Sequence, residues 1–384
     1  MATLTLTSWN IEHFARLLDL SLLAAEGPGN GVTGFSRLAA VAAEIRAIDP
    51  DILLIVEGPA SLPALETWAA AAEPHGLGGG WRVATIPGTA EALEALPEDP
   101  RRALAGLYAM QGNRVSGSQW IWFLVRDGLF QESRAAVLAP LVWRDLTGQA
   151  DWPVHRWGEL IARRHRHWRH PQVLLLRLGG VEIEIIGAHL KSKINHKSAF
   201  DASGELTAAY VDEALRARIQ LATEAFDIRR YIDGRFAQTP APRILVAGDF
   251  NDGPGRGFFE REYLYFDLVG NLQGDVFAAD KFLNHALFDF PGDLRWTTAF
   301  NDRIERWSRQ RDGVTPLPGE PYDATRLQLI DHILFTQALV GEGAWPRIRS
   351  GAGRVEHTVH QRINAGLGRQ LTSDHVPVSV EITL

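Results

Sequence analysis

Short apolar segments alternate with helix-like segments along the whole chain, and this alternation most constrains the fold. Apolar runs typical of buried strands occur at residues 51–56, 119–125, 173–178, 181–188, 244–247, 329–335 and 376–382. Residues 3–9 alternate Thr and Leu like a half-buried strand, and residues 36–48 and 206–232 repeat apolar residues at helical spacing. Asp233-Gly234 is expected to end the second of these helices. Strands interleaved with helices indicate an α/β architecture.

The chain has 384 residues, more than the roughly 100–200 of a typical domain. It contains no internal repeat, no low-complexity tract and no long Pro/Gly/Ser linker. We therefore expect one domain spanning residues 1–384, enlarged by insertions at about 89–113 and 143–170. The first insertion is rich in Ala, Leu and Glu, which predicts helix, and the second is rich in Trp, Arg and His.

Composition excludes several classes of protein. Apolar residues make up 46% and charged residues 22%, a globular balance. The 46 acidic and 39 basic residues give a net charge of −7, which excludes a globally basic nucleic-acid-binding surface but permits local basic patches. The chain has no cysteine, so disulfides, thiolate nucleophiles, iron–sulfur clusters and cysteine-ligated zinc are excluded.

The sequence gives an expectation about location. No run of about 18 apolar residues is present, so no transmembrane segment is predicted. The start, MATLTLTSWNIEHF, lacks the basic and apolar regions of a secretion signal. We expect a cytoplasmic protein, with secretion as the alternative if the N-terminus has been trimmed.

Polar side chains stand at the ends of several predicted strands. They are Asn10, Glu57, His189, Asp249 with Asn251, Asp331, and Asp374 with His375. In α/β sheets, ligand sites gather where strands end and loops begin. If the strands are neighbours, these groups would form one polar site.

The residue types in this set suit phosphoester chemistry. Carboxylate and amide oxygens are hard ligands that favour Mg²⁺ or Mn²⁺, whereas zinc would favour more histidine. An Asp–His pair supplies an oriented imidazole beside a reacting phosphate. Asparagine donates to phosphate oxygens without adding negative charge. The set therefore predicts a metal-assisted phosphoester hydrolase.

Three motifs carry a resemblance to a known family. They are Ser8-Trp9-Asn10-Ile11, Gly248-Asp249-Phe250-Asn251-Asp252 and Ser373-Asp374-His375-Val376-Pro377. In this order they resemble the endonuclease/exonuclease/phosphatase superfamily, which includes DNase I, apurinic endonucleases, neutral sphingomyelinases and inositol-phosphate phosphatases. The resemblance implies a four-layer α/β/β/α sandwich of two mainly antiparallel sheets flanked by helices. It places the site at one edge between the sheets.

The resemblance also implies a metal site. Glu57 matches the principal metal ligand of the family, and Asn10 and Asp374 match residues near the same ion. The implied cofactor is Mg²⁺ or Mn²⁺, with Ca²⁺ as a further candidate. Family members differ over whether one metal ion acts or two.

The remaining site residues take catalytic roles by the same resemblance. Asp249 matches the residue that orients or deprotonates the attacking water, and Asn251 matches the asparagine that holds the phosphate. His375 resembles the essential histidine, and Asp331 resembles its carboxylate partner. His189 matches the second histidine of the DNase I and sphingomyelinase branches.

The chain departs from the family pattern at two positions. Val56 stands where many members have Gln before the metal-binding glutamate. Gln119 stands where the DNase I branch has a glutamate, so we expect His189 to lack a carboxylate partner. Lys191, two residues after His189, is a candidate phosphate contact.

The second insertion has two interpretations. Arg163, Arg164 and Arg166 lie in its basic, aromatic stretch and are candidates for binding a polyanionic substrate. The alternative is an amphipathic helix that buries Trp157, Ile161 and Trp168 and exposes its Arg/His face.

The sequence thus favours a metal-dependent nuclease-type phosphodiesterase with a nucleic-acid substrate. One alternative is a phosphatase or phospholipase C-like enzyme acting on a lipid or small phosphorylated molecule. Its membrane-docking loops would be Gly257-Phe258-Phe259 or Trp345-Pro346. The other alternative is a catalytically inactive binding module.

Overall fold

Sixteen strands are present in the part of the chain that the computed structural model describes, namely residues 2–18, 34–59, 61–87, 119–147, 152–154, 163–165, 167, 169–300, 302–313, 327–367 and 371–384. The strands are β1 (Thr3–Asn10), β2 (Ile52–Gly58), β3 (Trp81–Val83), β4 (Trp120–Arg126), β5 (Ala136–Val137), β6 (Trp152–Val154), β7 (Arg163–His165), β8 (Gln172–Leu178), β9 (Val181–His189), β10 (Arg243–Asp249), β11 (Asn284–His285), β12 (Thr298–Ala299), β13 (Leu327–Gln328), β14 (Asp331–Phe335), β15 (Gly353–Val355) and β16 (Val378–Thr383).

The helices of the same residues surround the strands. The α-helices are α1 (Phe14–Leu17), α2 (Gly34–Ile48), α3 (Leu62–Ala70), α4 (Asp127–Ser133), α5 (Pro140–Thr147), α6 (Ala208–Gln238), α7 (Leu268–Gln273), α8 (Arg303–Arg311) and α9 (His357–Asn364). One turn of π-helix spans Glu260–Leu264. No described helix is both long enough and apolar enough to cross a membrane.

Two six-stranded sheets form the centre of the molecule. Their strand orders are β15-β16-β1-β2-β4-β3 and β11-β14-β10-β9-β8-β5. In each sheet one pair is parallel, β1 with β2 and β9 with β10, and the other pairs are antiparallel. The predicted sandwich of two mainly antiparallel sheets flanked by helices is confirmed.

The uninterrupted apolar run of β2 follows from burial on both faces. Leu54 and Val56 belong to the core cluster between the two sheets. Leu53 and Ile55 face the opposite way and pack in the cluster that contains residues of α2 and α3. A strand covered on both sides loses the polar alternation of a half-exposed strand. The interface between the second sheet and α6 is similar, because Val246 of β10 packs with Ile228 of α6.

Helix α6 corrects one sequence expectation. Asp233-Gly234 does not end it, and the helix continues to Gln238. A Cβ atom on Gly234 would lie 3.2 Å from the carbonyl oxygen of Leu146 in α5. Gly234 therefore permits the close approach of two helices, and Arg235 beyond it pairs with the buried Glu184.

The two insertions have different outcomes. Residues 89–113 lie outside the described residues. In the other insertion, β6 and β7 pair antiparallel, with Pro153 opposite Arg164. The amphipathic-helix interpretation is therefore wrong for these strand residues. Trp157, Ile161, Arg166 and Trp168 lie outside the described residues.

Candidate active site

The strand directions bring the predicted polar residues to one edge of both sheets. Strands β14 and β16 run antiparallel to β10 and β1, so they begin at the edge where β10 and β1 end. The residues at this edge are Asn10 and Glu57 from β1 and β2, His189 and Asp249 from β9 and β10, and Asp331 and His375 at and before the starts of β14 and β16. Each sheet contributes half of the set.

Asp249 is the most connected side chain at this edge. Its Oδ2 accepts hydrogen bonds from Asn10 Nδ2 at 3.0 Å and Asn251 Nδ2 at 3.2 Å, and its Oδ1 accepts one from the Asn251 backbone N–H at 2.7 Å. Burial and the neighbouring Asp331 raise the pKa of Asp249 to about 7. A fixed carboxylate with a pKa near neutrality suits a general base.

Asp331 and His375 form a buried ion pair. His375 Nδ1 lies 2.7 Å from Asp331 Oδ2. Burial alone would lower the pKa of His375, but Asp331 raises it to about 10 with smaller contributions from Asp249 and Asp374. The imidazole is therefore cationic at neutral pH. Ligand atoms of Asp249, Asp331 and His375 all lie within 4.8 Å of one another. A protonated imidazole cannot ligate a cation, so these three act as a metal site only when His375 has lost its proton.

Asn10 and Glu57 fit a hard cation better. Asn10 Oδ1 is buried without a hydrogen-bond partner among the described residues, although a buried amide oxygen normally has one. Asn10 pairs with Val56 in the β1–β2 ladder, so Glu57 follows directly beside it. An unsatisfied amide oxygen next to a carboxylate is the donor set that Mg²⁺ or Mn²⁺ takes in proteins.

The backbone at two site residues is strained. Glu57 and Asn251 have φ angles of 60° and 53°, in the left-handed region that side chains other than Gly seldom adopt. Such conformations cluster at functional sites. At Gly248 the φ angle is 137°, and a Cβ atom would lie 1.9 Å from the Ala188 carbonyl oxygen. Only glycine lets β9 and β10 approach this closely just before Asp249.

His189 lies beside Asp249 without a carboxylate on its other nitrogen. Its Nε2 is 3.6 Å from Asp249 Oδ2, and its Nδ1 has no hydrogen-bond partner among the described residues. Burial, helped by the charges of Arg169 and His375, lowers the pKa of His189 well below its ordinary value. His189 is therefore neutral at neutral pH. Gln119, in the position of the expected partner, instead donates to Glu57 Oε1 at 2.9 Å.

Asp374, Lys191, Arg163 and Arg164 are the remaining sequence candidates that the structure describes. Asp374 is 58% exposed, with Oδ1 3.9 Å from His375 Nε2. Lys191 directs its Nζ to the Ser192 carbonyl. Arg163 and Arg164 lie on β7, which pairs with β6 in a separate two-stranded sheet. Of these candidates, Asp374 therefore borders the strand-end cluster at His375.

A cleft of about 650 Å³ opens beside His375 and Asn251. Its wall carries four cations, three acids and several aromatic rings. The cations are Lys193, Lys197, Arg218 and Arg303, the acids are Glu260, Asp302 and Asp374, and the exposed or half-buried rings are Phe200, Tyr210 and Phe300. Lys193 pairs with Asp252 and Arg218 pairs with Glu260. Lys197 and Arg303 form no ion pair with the described residues, so their charges are available to a ligand.

Sequence reasoning assigned no role to Ser373 or Arg169. Ser373 Oγ donates to the Asn10 carbonyl and accepts from the backbone N–H of His375, which ties the last loop to β1. Arg169 donates to Gln119. Gln119 directly precedes the apolar run of β4, so the strand-end rule that selected the other residues selects it as well. No sequence signal distinguishes Arg169 from the other arginines of its stretch.

Comparison with known proteins places these features in context. No curated protein matches the chain. Among solved structures it is similar to TDP2 of Caenorhabditis elegans, with 14% identity, a TM-score of 0.45, and coverage of 100% of this chain and 98% of that chain. It is also similar to the human Nocturnin catalytic domain, with 13% identity, a TM-score of 0.43, and coverage of 99% and 93%. A family model described as the Endonuclease/Exonuclease/phosphatase family matches residues 7–375, a span that runs from β1 to His375. The resemblance inferred from the motifs is confirmed, and the chain belongs to the endonuclease/exonuclease/phosphatase family.

Proposed function

We propose that the protein is a divalent-metal-dependent phosphoesterase, and more narrowly a phosphodiesterase that hydrolyses nucleic acid. One observation carries the proposal. A cationic imidazole, His375, is held by Asp331 and faces a carboxylate, Asp249, that is fixed by three hydrogen bonds. This arrangement puts a base and a positive charge next to each other, beside the cleft in which a phosphate would react.

The side chains divide the chemistry among themselves. Asp249 accepts a proton from a water molecule that attacks phosphorus in line, the P–O bond opposite the water breaks, and the leaving oxygen takes its proton from solvent. His375 donates a hydrogen bond to a phosphate oxygen as negative charge develops on it, and Asn251 donates a second by exchanging its longer amide hydrogen bond, the 3.2 Å contact with Asp249, for one to the phosphate. His375 stays protonated because Asp331 supports it throughout. A divalent cation, which Asn10 and Glu57 would hold, supplies Lewis-acid stabilisation of the same charge when bound.

The cleft beside the site supports a nucleic-acid substrate. Lys197 and Arg303 offer two free positive charges for phosphates that flank the scissile bond. Phe300, which is 55% exposed in the same wall, offers a surface on which a base can stack. A strand with its phosphates and bases matches this alternation of cations and rings better than an isolated phosphate does.

A substrate panel tests the proposal. The purified protein is incubated with Mg²⁺, Mn²⁺ or Ca²⁺ and with plasmid DNA, single-stranded DNA, RNA, an abasic duplex, sphingomyelin or inositol phosphates. We expect cleavage of a nucleic acid, abolished by chelation and by Asp249→Ala. Activity that persists in Asp249→Ala would refute the assignment, and absence of metal binding by calorimetry would favour the inactive binding module.

A specific observation keeps the lipid alternative open as a second candidate. The first of the loops suggested for membrane docking does not fit, since Phe258 and Phe259 are buried. Phe277 and Phe288, however, are 95% and 81% exposed. Rings this exposed could insert into a bilayer. Flotation with liposomes, compared between the protein and its Phe277→Ser/Phe288→Ser variant, distinguishes the two substrates.

A further inference from the structure

Glu57 stands at the end of a chain of side-chain hydrogen bonds. Arg169 Nε donates to Gln119 Oε1 at 3.0 Å, and Gln119 Nε2 donates to Glu57 Oε1 at 2.9 Å. The amide of Gln119 thus has a fixed orientation, because Arg169 can only donate and therefore faces its oxygen. The nitrogen of the amide must then point at the carboxylate.

The outer end of this chain is anchored in the site. Arg169 Nη1 donates to the Leu190 carbonyl at 3.0 Å. The same carbonyl accepts a hydrogen bond from Asn251 Nδ2 at 3.0 Å. The half-buried guanidinium therefore bridges the two sheets, with one bond to Leu190 at the edge of the second sheet and one to Gln119 at the edge of the first. Its position links the asparagine that faces the phosphate with the carboxylate of Glu57.

The carboxylate of Glu57 has few other restraints. The side chain of the preceding residue, Val56, is apolar and cannot hydrogen-bond to it. The backbone of Glu57 itself is in the left-handed region. Its second oxygen, Oε2, accepts the backbone N–H of His13 at 2.9 Å. Gln119 and the His13 N–H together fix both oxygens, which leaves their remaining lone pairs in defined directions.

We propose that Arg169 and Gln119 are positioning residues that orient Glu57 for the divalent cation, with Gln119 acting on the carboxylate and Arg169 acting through Gln119. The inference rests on the proposed function. Groups that hydrogen-bond to metal ligands are commonly worth about 10–100-fold in metal affinity or activity. The chain of hydrogen bonds assigns that role to a residue 50 positions from Gln119 in sequence.

A double-mutant cycle tests the proposal. Mn²⁺ affinity is measured by calorimetry for the wild type, Gln119→Leu, Arg169→Met and the double variant. We expect the dissociation constant to rise about 10-fold or more in each single variant. Since Arg169 acts through Gln119, the double variant should resemble Gln119→Leu, so the two effects should not multiply. In activity assays the Mg²⁺ concentration for half-maximal rate should rise while the KM for nucleic acid stays constant.

Controls separate this idea from a structural role and from the proposed function. Arg177→Met removes an arginine of an exposed ion pair and should bind Mn²⁺ like the wild type. Thermal unfolding checks that every variant is folded, and Gln119→Leu, at a half-buried position, provides the test if Arg169→Met is not. Unchanged Mn²⁺ affinity in folded Gln119→Leu, or effects that multiply, would overturn the positioning role. A wild type that binds no Mn²⁺ would instead refute the metal-dependent function.

Discussion

Asp331 and His375 are joined across the gap between the two sheets. Asp331 opens β14 in the second sheet, and His375 precedes β16 in the first, yet Oδ2 and Nδ1 are 2.7 Å apart. The imidazole reaches no other described carboxylate at hydrogen-bond distance. Its charge therefore depends mainly on one residue of the opposite sheet.

Asp331→Asn should remove that support. An asparagine cannot balance the imidazolium, so the pKa of His375 should fall towards its ordinary value. We expect kcat to fall by roughly 10²–10³, the cost typical of losing one group that stabilises the transition state. The measurement is kcat on the preferred substrate, with Asp233→Asn, an exposed i,i+4 partner of Arg229, as the control. A variant within threefold of the wild type would contradict the role of the pair.

His189→Asn should have a much smaller effect than His375→Asn. His189 is neutral, and its Nδ1 has no carboxylate to stabilise a charge. General acids and bases contribute about 10²–10⁴ to the rate, so we expect a loss well below 10² at this position. Parallel measurements of kcat for both variants check it. A loss at His189 equal to that at His375 would show that His189 carries a proton after all.

Lys197→Ala/Arg303→Ala should weaken substrate binding without slowing the chemical step. We expect a higher KM and a shallower dependence of log KM on log salt, by roughly 0.7 for each phosphate of a single strand that the variant no longer neutralises. The control is Arg177→Ala/Lys281→Ala, which removes two exposed cations away from the cleft. The triple variant Arg163→Ala/Arg164→Ala/Arg166→Ala tests the other basic stretch in the same assay. If only the triple variant changes the salt dependence, the substrate binds along that stretch and not along the cleft.

The buried His332 and its half-buried neighbour His285 should make the fold sensitive to acid. The Leu287 N–H donates to His285 Nδ1, His285 Nε2 lies 2.9 Å from His332 Nδ1, and His332 Nε2 lies 2.8 Å from the Asp252 carbonyl. This chain of bonds is complete only when both rings are neutral. Burial, together with neighbouring His332 and Arg295, lowers the pKa of His285 to about 3, and burial lowers that of His332 to about 4.

The sign of the effect follows from proton uptake. Between pH 6.5 and about 4 the unfolded chain binds protons at these histidines and the folded chain does not, so the free energy of unfolding falls as pH falls. We expect a loss on the order of 3 kcal/mol for the pair between pH 6.5 and 5. Urea unfolding at a series of pH values measures it, and His285→Gln should flatten the dependence. An imidazole NMR signal from either ring that titrates near pH 6 would contradict the prediction.

Gly248→Ala should destabilise the fold and displace Asp249. The methyl group would meet the Ala188 carbonyl at 1.9 Å, and the φ of 137° is strained for alanine. The backbone strain alone costs about 1–3 kcal/mol, and the collision adds to it. Gly180→Ala, at a φ of 85° with nothing within 4 Å, is the matched control for strain without collision. Equal urea midpoints for the two variants would show that the strand contact can relax.

The sequence predicts the fold well where apolar runs set the pattern. The runs at 51–56, 173–178 and 244–247 correspond to β2, β8 and β10, because burial on two faces leaves a continuous apolar signal. The prediction of a helix end at Gly234 is wrong, since a glycine needed for helix contact looks the same in sequence as one needed for a cap. The pairing of β6 with β7 is also not predictable, because three-residue strands carry almost no periodicity.

The site can be predicted as a set of residues but not as a set of contacts. Asn10, Asp249 and His375 can be selected because each stands at a strand end. Gln119 bonds to Glu57 and not to His189 because of the side-chain rotamers at one sheet edge. These rotamers are set by three-dimensional packing, so they cannot be read from the sequence alone. Their catalytic and metal-binding roles stay predictions until the variants are assayed.

Because the candidate site takes half of its groups from each sheet, its geometry also depends on the apolar core between the sheets. Leu54, Phe123 and Ile185 belong to the apolar core between the sheets. A small change in the distance between the sheets, or a small shift of one sheet along the other, would move Asn10 relative to Asp249. It would also move Asp331 relative to His375. Natural selection for catalytic turnover should therefore constrain the volumes of these interior side chains as strongly as it constrains the polar groups.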